Sequence, residues 1–256
     1  MDIEQIDLGE NYVRTCLQGS ERLVVSFETG GGMVERKNAN RKAWAQGLVG
    51  DAGWDGLYVL PQIMTWYQAE ELWGFFITMR KSGFFDGYKE VVMYGNSMGG
   101  FAALAFARFC RATRVVAFSP RATLSDKVLP WDSAFSSQLS FNRKGPQANA
   151  LNGLKAGIEV LVFVDPIYDR DYGHARWIAK NHAQTKLIRV PFLWHDIPAY
   201  LAEINILPSV ACGAIAGAFD EGQFYKDIRN RRKSPLYQGH FRRYLLNRGK
   251  AEGAVI

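Results

Sequence analysis

Short runs of apolar residues recur through the middle of the chain, and each has the length of one buried β-strand. They are rich in β-branched side chains and occupy residues 23–27, 57–60, 90–94, 114–118, 159–164 and 186–190. Strands that are apolar at nearly every position are buried on both faces, which is typical of a parallel sheet covered by helices. The pattern therefore predicts such a sheet.

Helix-like patterns separate these strands. After Thr65, apolar side chains recur mostly at spacings of three and predict one face of a helix; they are Trp66, Ala69, Leu72, Trp73, Phe76 and Met79. An Ala-rich helix is predicted over residues 98–109, and another runs through residues 175–179. Strands that alternate with helices predict an α/β fold with a mostly parallel central sheet flanked by helices.

The alternation of strands and helices stops between residues 122 and 145. Ser, Asp and Asn residues accumulate there with Pro130 and Trp131, and they follow no clear period. A segment of this length inside a compact domain is often functional, so we expect a small lid at 122–145, with a plain surface excursion as the alternative. The expected organisation is one α/β domain over residues 1–220 and a C-terminal extension over residues 221–256.

The motif Gly95-Asn96-Ser97-Met98-Gly99 matches G-x-S-x-G and stands between a predicted strand and a predicted helix. In this context the motif predicts a nucleophile elbow, a tight turn that exposes the serine hydroxyl at the end of the sheet. Side chains at positions 95 and 99 would collide across the turn, and the N-terminus of the following helix favours developing negative charge. Ser97 is therefore the candidate nucleophile.

The order of the candidate residues resembles that of the α/β-hydrolase superfamily over roughly Leu23 to Phe219. In that superfamily the nucleophile is followed along the chain by an acid and then by a histidine. Here Ser97 precedes a cluster of aspartates after the strand at 159–164, and His195 follows the last predicted strand. The resemblance implies an α/β-hydrolase-like three-layer sandwich with a Ser-Asp-His triad.

Three aspartates compete for the role of the acid. Asp169 lies about where the acid of the superfamily falls, so the resemblance favours it as the partner of His195. Asp171 is an alternative that could instead cap the following helix. Asp165 is another, although it could simply begin the turn after the strand. Two other histidines flank a predicted helix and are expected at the surface: His174 and His182.

Hydrolysis through Ser97 also needs hydrogen-bond donors for the oxyanion of the intermediate. The backbone N–H of Met98 is one candidate, and the second should come from the loop after residues 23–27, at Glu28 or Thr29. The resemblance implies a serine hydrolase that cleaves an ester or thioester of a small acyl-bearing substrate through an acyl-enzyme. An acyltransferase acting on a sugar or small alcohol and a catalytically silent binding protein are the alternatives.

Several features of the sequence favour a cytoplasmic protein. The first five residues are acidic rather than basic and apolar, and no apolar stretch is long enough for a membrane span. The three cysteines, Cys16, Cys110 and Cys212, form no disulfide or zinc pattern, and we expect no metal and no cofactor.

Residues 97–104 and 118–124 further resemble a group of poorly characterised bacterial α/β-hydrolase-like proteins.

The composition is that of a globular protein, since 48% of its 256 residues are hydrophobic and 22% are charged. The formal net charge of +6 lies entirely in the C-terminal extension, which has nine basic and three acidic residues. The extension could contact an anionic partner or present a solvated helix face. Nucleic acid is not the expected partner, and the extension is expected to contribute no catalytic group.

Overall fold

The computed structural model of the chain describes residues 2–30, 40–125, 129, 132 and 146–248. Within these ranges, eight strands form one sheet. The strands are β1 (Asp2–Asp7), β2 (Asn11–Leu17), β3 (Arg22–Phe27), β4 (Asp55–Pro61), β5 (Glu90–Asn96), β6 (Arg114–Phe118), β7 (Glu159–Val164) and β8 (Thr185–Arg189). Their order across the sheet is β1-β2-β4-β3-β5-β6-β7-β8. Strands β3 to β8 run parallel and β2 is antiparallel to both of its neighbours, so the predicted, mostly parallel sheet is confirmed.

In the part of the chain that the structure describes, helices connect β3 to β4, β4 to β5, β5 to β6 and β7 to β8, and four more helices follow β8. In the described part of the chain they are α1 (Gln46–Asp51), α2 (Glu70–Lys81), α3 (Met98–Phe106), α4 (Asp169–Asn181), α5 (Ile197–Glu203), α6 (Leu207–Ala216), α7 (Glu221–Asp227) and α8 (Pro235–Asn247). Shorter 3-10 turns are formed by Phe84–Gly87, Pro146–Ala148, Ala150–Gly153 and Ile228–Lys233. None of these helices combines the length and the apolar character needed to cross a membrane.

Apolar side chains alternate between the two faces of the sheet, and each face has its own core. Along β3, Leu23 and Val25 belong to the first core and Val24 belongs to the second. The first core packs against α2, α3 and α4, and the second packs against α1 and α5 to α8. The sheet is thus the middle of three layers, and its inner strands are apolar throughout because both faces are buried.

Two helices differ from their predicted limits. The helix expected to begin near Thr65 begins at Glu70, because Trp66 and Tyr67 have φ angles of 56° and 59°, which no right-handed helix allows. The Tyr67 hydroxyl instead donates a 2.7 Å hydrogen bond to the Glu28 carbonyl. The helix predicted over 98–109 ends at residue 106. Beyond it, the Arg108 N–H donates a 2.8 Å hydrogen bond to the Gly153 carbonyl, so tertiary contacts override the local apolar pattern in both places.

The antiparallel pair β1 and β2 was not predicted from the apolar pattern of the sequence. Side chains from Ile3 to Asp7 in β1 are all exposed, so the strand has no alternation between buried and polar positions. It forms the edge of the sheet, where its charged residues discourage pairing with another chain. An edge strand without a buried face gives no periodic signal.

The described part of the C-terminal extension packs on the second core. Phe224, Ile228 and Tyr237 are buried members of that core. Most of the cations of the extension are exposed instead: Lys226, Arg229, Arg232, Lys233, Arg242, Arg243 and Arg248. The extension is therefore anchored by apolar side chains and presents its charge to solvent. The boundary at residue 221 stays a prediction.

A pair of glycine substitutions tests the packing of α3. A Cβ atom at Gly153 would lie 2.2 Å from the carbonyl oxygens of Leu104 and Ala105, both of which belong to rigid backbone. We expect Gly153→Ala to lower the free energy of unfolding by about 1–3 kcal/mol or more. Gly74 lies inside α2 with open space at its Cβ position, so Gly74→Ala should raise the free energy of unfolding by about 0.5–1 kcal/mol. Urea unfolding midpoints would contradict this account if both variants shifted in the same direction.

Candidate active site

Ser97 lies in a tight turn between β5 and α3. Its φ and ψ angles of 57° and −115° are unusual for a residue with a side chain, and conformations of this kind cost on the order of 1–3 kcal/mol. A Cβ atom at Gly95 would lie 2.2 Å from the Gly99 carbonyl oxygen, and one at Gly99 would lie 2.2 Å from the Phe27 carbonyl oxygen. The two glycines are thus required by close backbone contacts, and the turn has the geometry that the G-x-S-x-G motif predicts.

Strained backbone also occurs after other strands at the same edge of the sheet. Five residues other than Ser97 have positive φ angles in the segments that follow β4, β6 and β8: Trp66, Tyr67, Ser119, Phe192 and Trp194. Strained residues persist only where the surrounding structure holds them, and they cluster at functional sites. The carboxyl ends of the parallel strands are therefore the candidate active-site edge.

His195 forms a short hydrogen bond with Asp171. The distance between His195 Nδ1 and Asp171 Oδ2 is 2.6 Å, and the Asp171 side chain is only 7% exposed. Asp169, which the resemblance favours, is exposed in the first turn of α4 and is not the partner of His195. Positions 169 and 171 point about 200° apart around the helix axis, so only one of them can face the histidine. The structure pairs His195 with the alternative acid.

Asp165 has a different role. Its side chain is fully buried, and Oδ2 accepts hydrogen bonds from the backbone N–H groups of Leu193 (2.8 Å) and Trp194 (2.6 Å). Oδ1 accepts a third from Ile167 N–H at 2.8 Å. Burial raises the pKa of Asp165 above its ordinary value, against the opposing effect of these hydrogen bonds. Asp165 thus holds the backbone before His195 and does not contact the imidazole.

The surroundings of His195 favour its protonated form. Burial lowers the pKa of the imidazole, but the hydrogen bond and the negative charge of Asp171 outweigh this effect. The charge of Asp196 acts in the same direction as Asp171, whereas Arg121 opposes them. The net result is a pKa above the ordinary value for histidine.

The Nε2 atom of His195 is the nitrogen that remains for a reacting group, because Nδ1 faces Asp171. The His195 side chain is 42% exposed, so substrate or solvent can reach the ring. Among the hydrogen bonds of the described residues, none joins Ser97 to His195. Of the two contacts expected within the triad, the structure therefore has the one between His195 and Asp171. Such hydrogen bonds often tighten only when substrate is bound.

A second Asp–His pair lies buried nearby, contrary to the prediction that His174 is at the surface. His174 is 1% exposed, and its Nδ1 accepts a 3.1 Å hydrogen bond from the Ala122 N–H. The proton must therefore reside on Nε2, which lies 2.7 Å from Asp132 Oδ2. The ring is neutral in this arrangement because Nδ1 accepts a hydrogen bond, and burial lowers the pKa of His174 in the same sense. His182, also expected at the surface, is 7% exposed and contacts the Lys155 carbonyl at 3.2 Å.

Arg121 joins this buried pair to the active-site edge. It lies three residues after the end of β6, forms an ion pair with Asp132 and lies over the ring of Trp66 at 5.4 Å. Its position just after a parallel strand was a usable signal in the sequence, but its partner Asp132 comes from the segment expected to form a lid. Of that segment, residues 126–128, 130, 131 and 133–145 lie outside the described residues, so the lid stays a prediction.

The loop after β3 lies against the start of α3, as a second oxyanion donor from this loop would require. A Cβ atom at Gly30 would lie 3.6 Å from the Met98 sulfur. The Glu28 carboxylate is occupied by Arg41, at 2.6 Å, and by the Trp44 N–H, at 3.0 Å. The Glu28 side chain is therefore engaged elsewhere, which leaves the Glu28 backbone N–H and Thr29 as candidates for the donor.

The described residues contain no group of three or more His, Cys, Asp and Glu side chains that could hold a metal ion. Cys16 and Cys110 are buried and Cys212 is half-buried, and all three thiols are free. Burial raises the pKa of each thiol, so none of them is activated as a nucleophile.

Comparisons with known proteins give a match in structure only. The chain matches no family model and no curated protein in sequence. The capsule O-acetyltransferase of Neisseria meningitidis serogroup A is similar in structure, with a TM-score of 0.55 and 15% identity over 84% of this chain and 94% of that one. An esterase of Pyrobaculum calidifontis has a TM-score of 0.56 and 14% identity over 86% of both chains. An arylesterase has a TM-score of 0.52 and 17% identity over 86% of this chain and 85% of that one.

At this level of identity the likeness shows the fold. The esterases and the O-acetyltransferase share the overall architecture of this chain. The chain has the α/β-hydrolase fold.

Proposed function

We propose that the protein is a serine hydrolase that cleaves an ester or thioester, with Ser97 as nucleophile, His195 as base and Asp171 as the acid. The observation that carries this proposal is the 2.6 Å contact between His195 and Asp171 at the sheet edge where the elbow presents Ser97. A histidine oriented by a buried carboxylate is the base that such a serine requires.

In this mechanism the Ser97 oxygen attacks the acyl carbon while its proton passes to Nε2 of His195. Asp171 keeps the imidazole in the tautomer with Nδ1 protonated and stabilises the imidazolium that forms. The tetrahedral intermediate then breaks the bond to the leaving alcohol or thiol, which takes the proton from His195. Water attacks the resulting acyl-enzyme by the same route, which releases the acid and restores Ser97.

The intermediate carries a negative oxygen that needs preorganised donors. The Met98 N–H is suited to be one of these donors because it belongs to the first turn of α3, where backbone N–H groups have no partner inside the helix. The second donor is proposed at the backbone of Glu28 or Thr29, since the adjacent carbonyl groups of residues 27 and 28 lie within 3 Å of the Gly99 Cβ position.

Acyl transfer is the second candidate function. The structural neighbours include both esterases and the O-acetyltransferase, which is also known in a mutant form in complex with CoA. Hydrolysis and transfer share one acyl-enzyme and differ only in whether water or another hydroxyl accepts the acyl group. Product analysis with a small ester, with and without an added sugar or alcohol, separates the two. The absence of any Ser97 adduct or turnover would favour the silent binding protein.

The proposed contact of the C-terminal extension with an anionic partner rests on its exposed cations alone. Exposed charges are screened within about 8–10 Å at physiological ionic strength, so such a contact would weaken steeply with added salt. The contact stays a prediction.

The first test concerns Ser97. We expect a fluorophosphonate probe to label the wild-type protein and Ser97→Ala to abolish the label, with turnover of a small ester lowered by about 10⁴–10⁶-fold. Ser209→Ala is the matched control, because Ser209 is an exposed serine on α6 whose hydroxyl donates to the local Ile206 carbonyl. Equal labelling of wild type and the Ser97 variant, measured by intact-protein mass, would exclude Ser97 as the nucleophile.

The second test separates the two aspartates of α4. We expect Asp171→Asn to lower kcat by about 10³–10⁴-fold, because the amide no longer holds the productive tautomer of His195. Asp169→Asn, the same change on the exposed side of the helix, should stay within a few-fold of wild type. A larger loss in the Asp169 variant than in the Asp171 variant would return the acid to the position that the family resemblance favours.

The third test concerns pH. His195 must be neutral to accept the Ser97 proton, so kcat/KM should be low in acid and rise as the pH passes the pKa of the imidazole. Because Asp171 raises that pKa, the midpoint should lie above the ordinary value of about 6.5. In Asp171→Asn the residual activity should have its midpoint at lower pH, since the raising charge is gone. A midpoint that does not move would remove the Asp171 contact from the mechanism.

A further inference from the structure

The segment of residues 191–196, here called the base loop, holds His195 through an unusual backbone. Phe192 and Trp194 have φ angles of 66° and 49°, which place two bulky aromatic residues in the left-handed region within three positions of His195. Such a conformation persists only where its surroundings hold it. On the inner side of the loop, the Asp165 carboxylate accepts two of its backbone N–H groups.

Helix α8 of the C-terminal extension holds the loop from another direction. The Arg243 guanidinium lies 4.2 Å from the centre of the Trp194 ring, and the His240 ring stacks on Trp194 at 5.4 Å. His240 Nε2 also lies 2.9 Å from the carboxylate of Asp196. The residues on both sides of His195 in the chain are therefore in contact with α8.

The aromatic packing extends to the start of the base loop. Phe192 makes edge contacts with three rings of α8, at centroid distances of 6.1 Å to Tyr237, 5.1 Å to Phe241 and 5.1 Å to Tyr244. The anchoring of α8 in the second core, through Tyr237, fixes these rings relative to the sheet. Helix α8 thus packs along the base loop and is itself held by the second core.

The Trp194 ring also contacts the start of α4, the helix that carries Asp171. The ring stacks on Tyr168 at 5.5 Å with the ring planes 3° apart, and Tyr168 directly precedes α4. A shift of Trp194 would therefore move the loop of His195 relative to the helix of Asp171. The Trp194 ring therefore lies between α8 and the residue that precedes the helix of Asp171.

We propose that α8 is a positioning element for His195, with Arg243 and His240 as positioning residues that act through Trp194 and Asp196. This inference rests on the proposed function, in which His195 is the base. It gives the basic C-terminal extension a part in catalysis without a catalytic group of its own. Small displacements of a base from its productive position are costly, with losses of about 10²-fold for about 1 Å.

The test compares two neighbouring arginines of α8. Arg243→Gln removes the cation over Trp194, whereas Arg242→Gln removes the same charge at the next exposed position and is the control. We expect the Arg243 variant to lower kcat on a small ester by about tenfold or more with KM changed less than twofold. The Arg242 variant should retain wild-type values, and Arg243→Lys, which keeps a cation near the ring, should recover most of the loss.

The titration of His195, followed by NMR of its ring protons, provides a readout independent of turnover. We expect its pKa to fall toward the ordinary value in Arg243→Gln and in His240→Gln, because a loosened base loop weakens the contact with Asp171. Wild-type kcat and wild-type titration in both variants would overturn the proposal. If the wild-type protein shows no Ser97-dependent chemistry, the proposed function fails, and the NMR titration alone still decides whether α8 positions His195.

Discussion

The tight backbone contact at the Ser97 turn is the constraint on which the rest of the site depends. With no side chain at Gly95 or Gly99, the start of α3 packs directly on the end of β3 and on its own preceding strand. Every residue of α3 is buried, so the helix is held on all sides by the first core. The surrounding layers thus hold Ser97 in its strained conformation, with its hydroxyl at the carboxyl edge of the sheet.

Three buried aspartates meet this edge, and each has a different partner. Asp165 accepts backbone N–H groups, Asp171 pairs with His195, and Asp132 pairs with His174 and Arg121. A buried carboxylate is costly unless hydrogen bonds or charges compensate it, so these partners explain why each aspartate is tolerated. The same arrangement divides their roles between shaping a loop, orienting a base and tying a distant segment to the sheet.

The two histidine pairs illustrate how geometry separates catalysis from structure. Both nitrogens of His174 are occupied and the ring is inaccessible, so it can neither reach a substrate nor change its proton at little cost. His195 has one nitrogen directed at a carboxylate and a side chain that is partly open to solvent. The pKa of His174 is lowered by burial, whereas that of His195 is raised by Asp171, which suits a base that must accept a proton.

The sequence by itself determined the parallel strands, the elbow at Ser97 and the histidine that follows the last strand. These features are local: a strand buried on both faces is apolar throughout, and a turn without space for side chains requires glycine. Only the tertiary structure decided which aspartate meets His195, because Asp169 and Asp171 are neighbours in the chain but point to different sides of α4. The burial of His174 and the contact of α8 with the base loop could not be predicted from the sequence either. Both depend on residues more than 40 positions apart that only folding brings together.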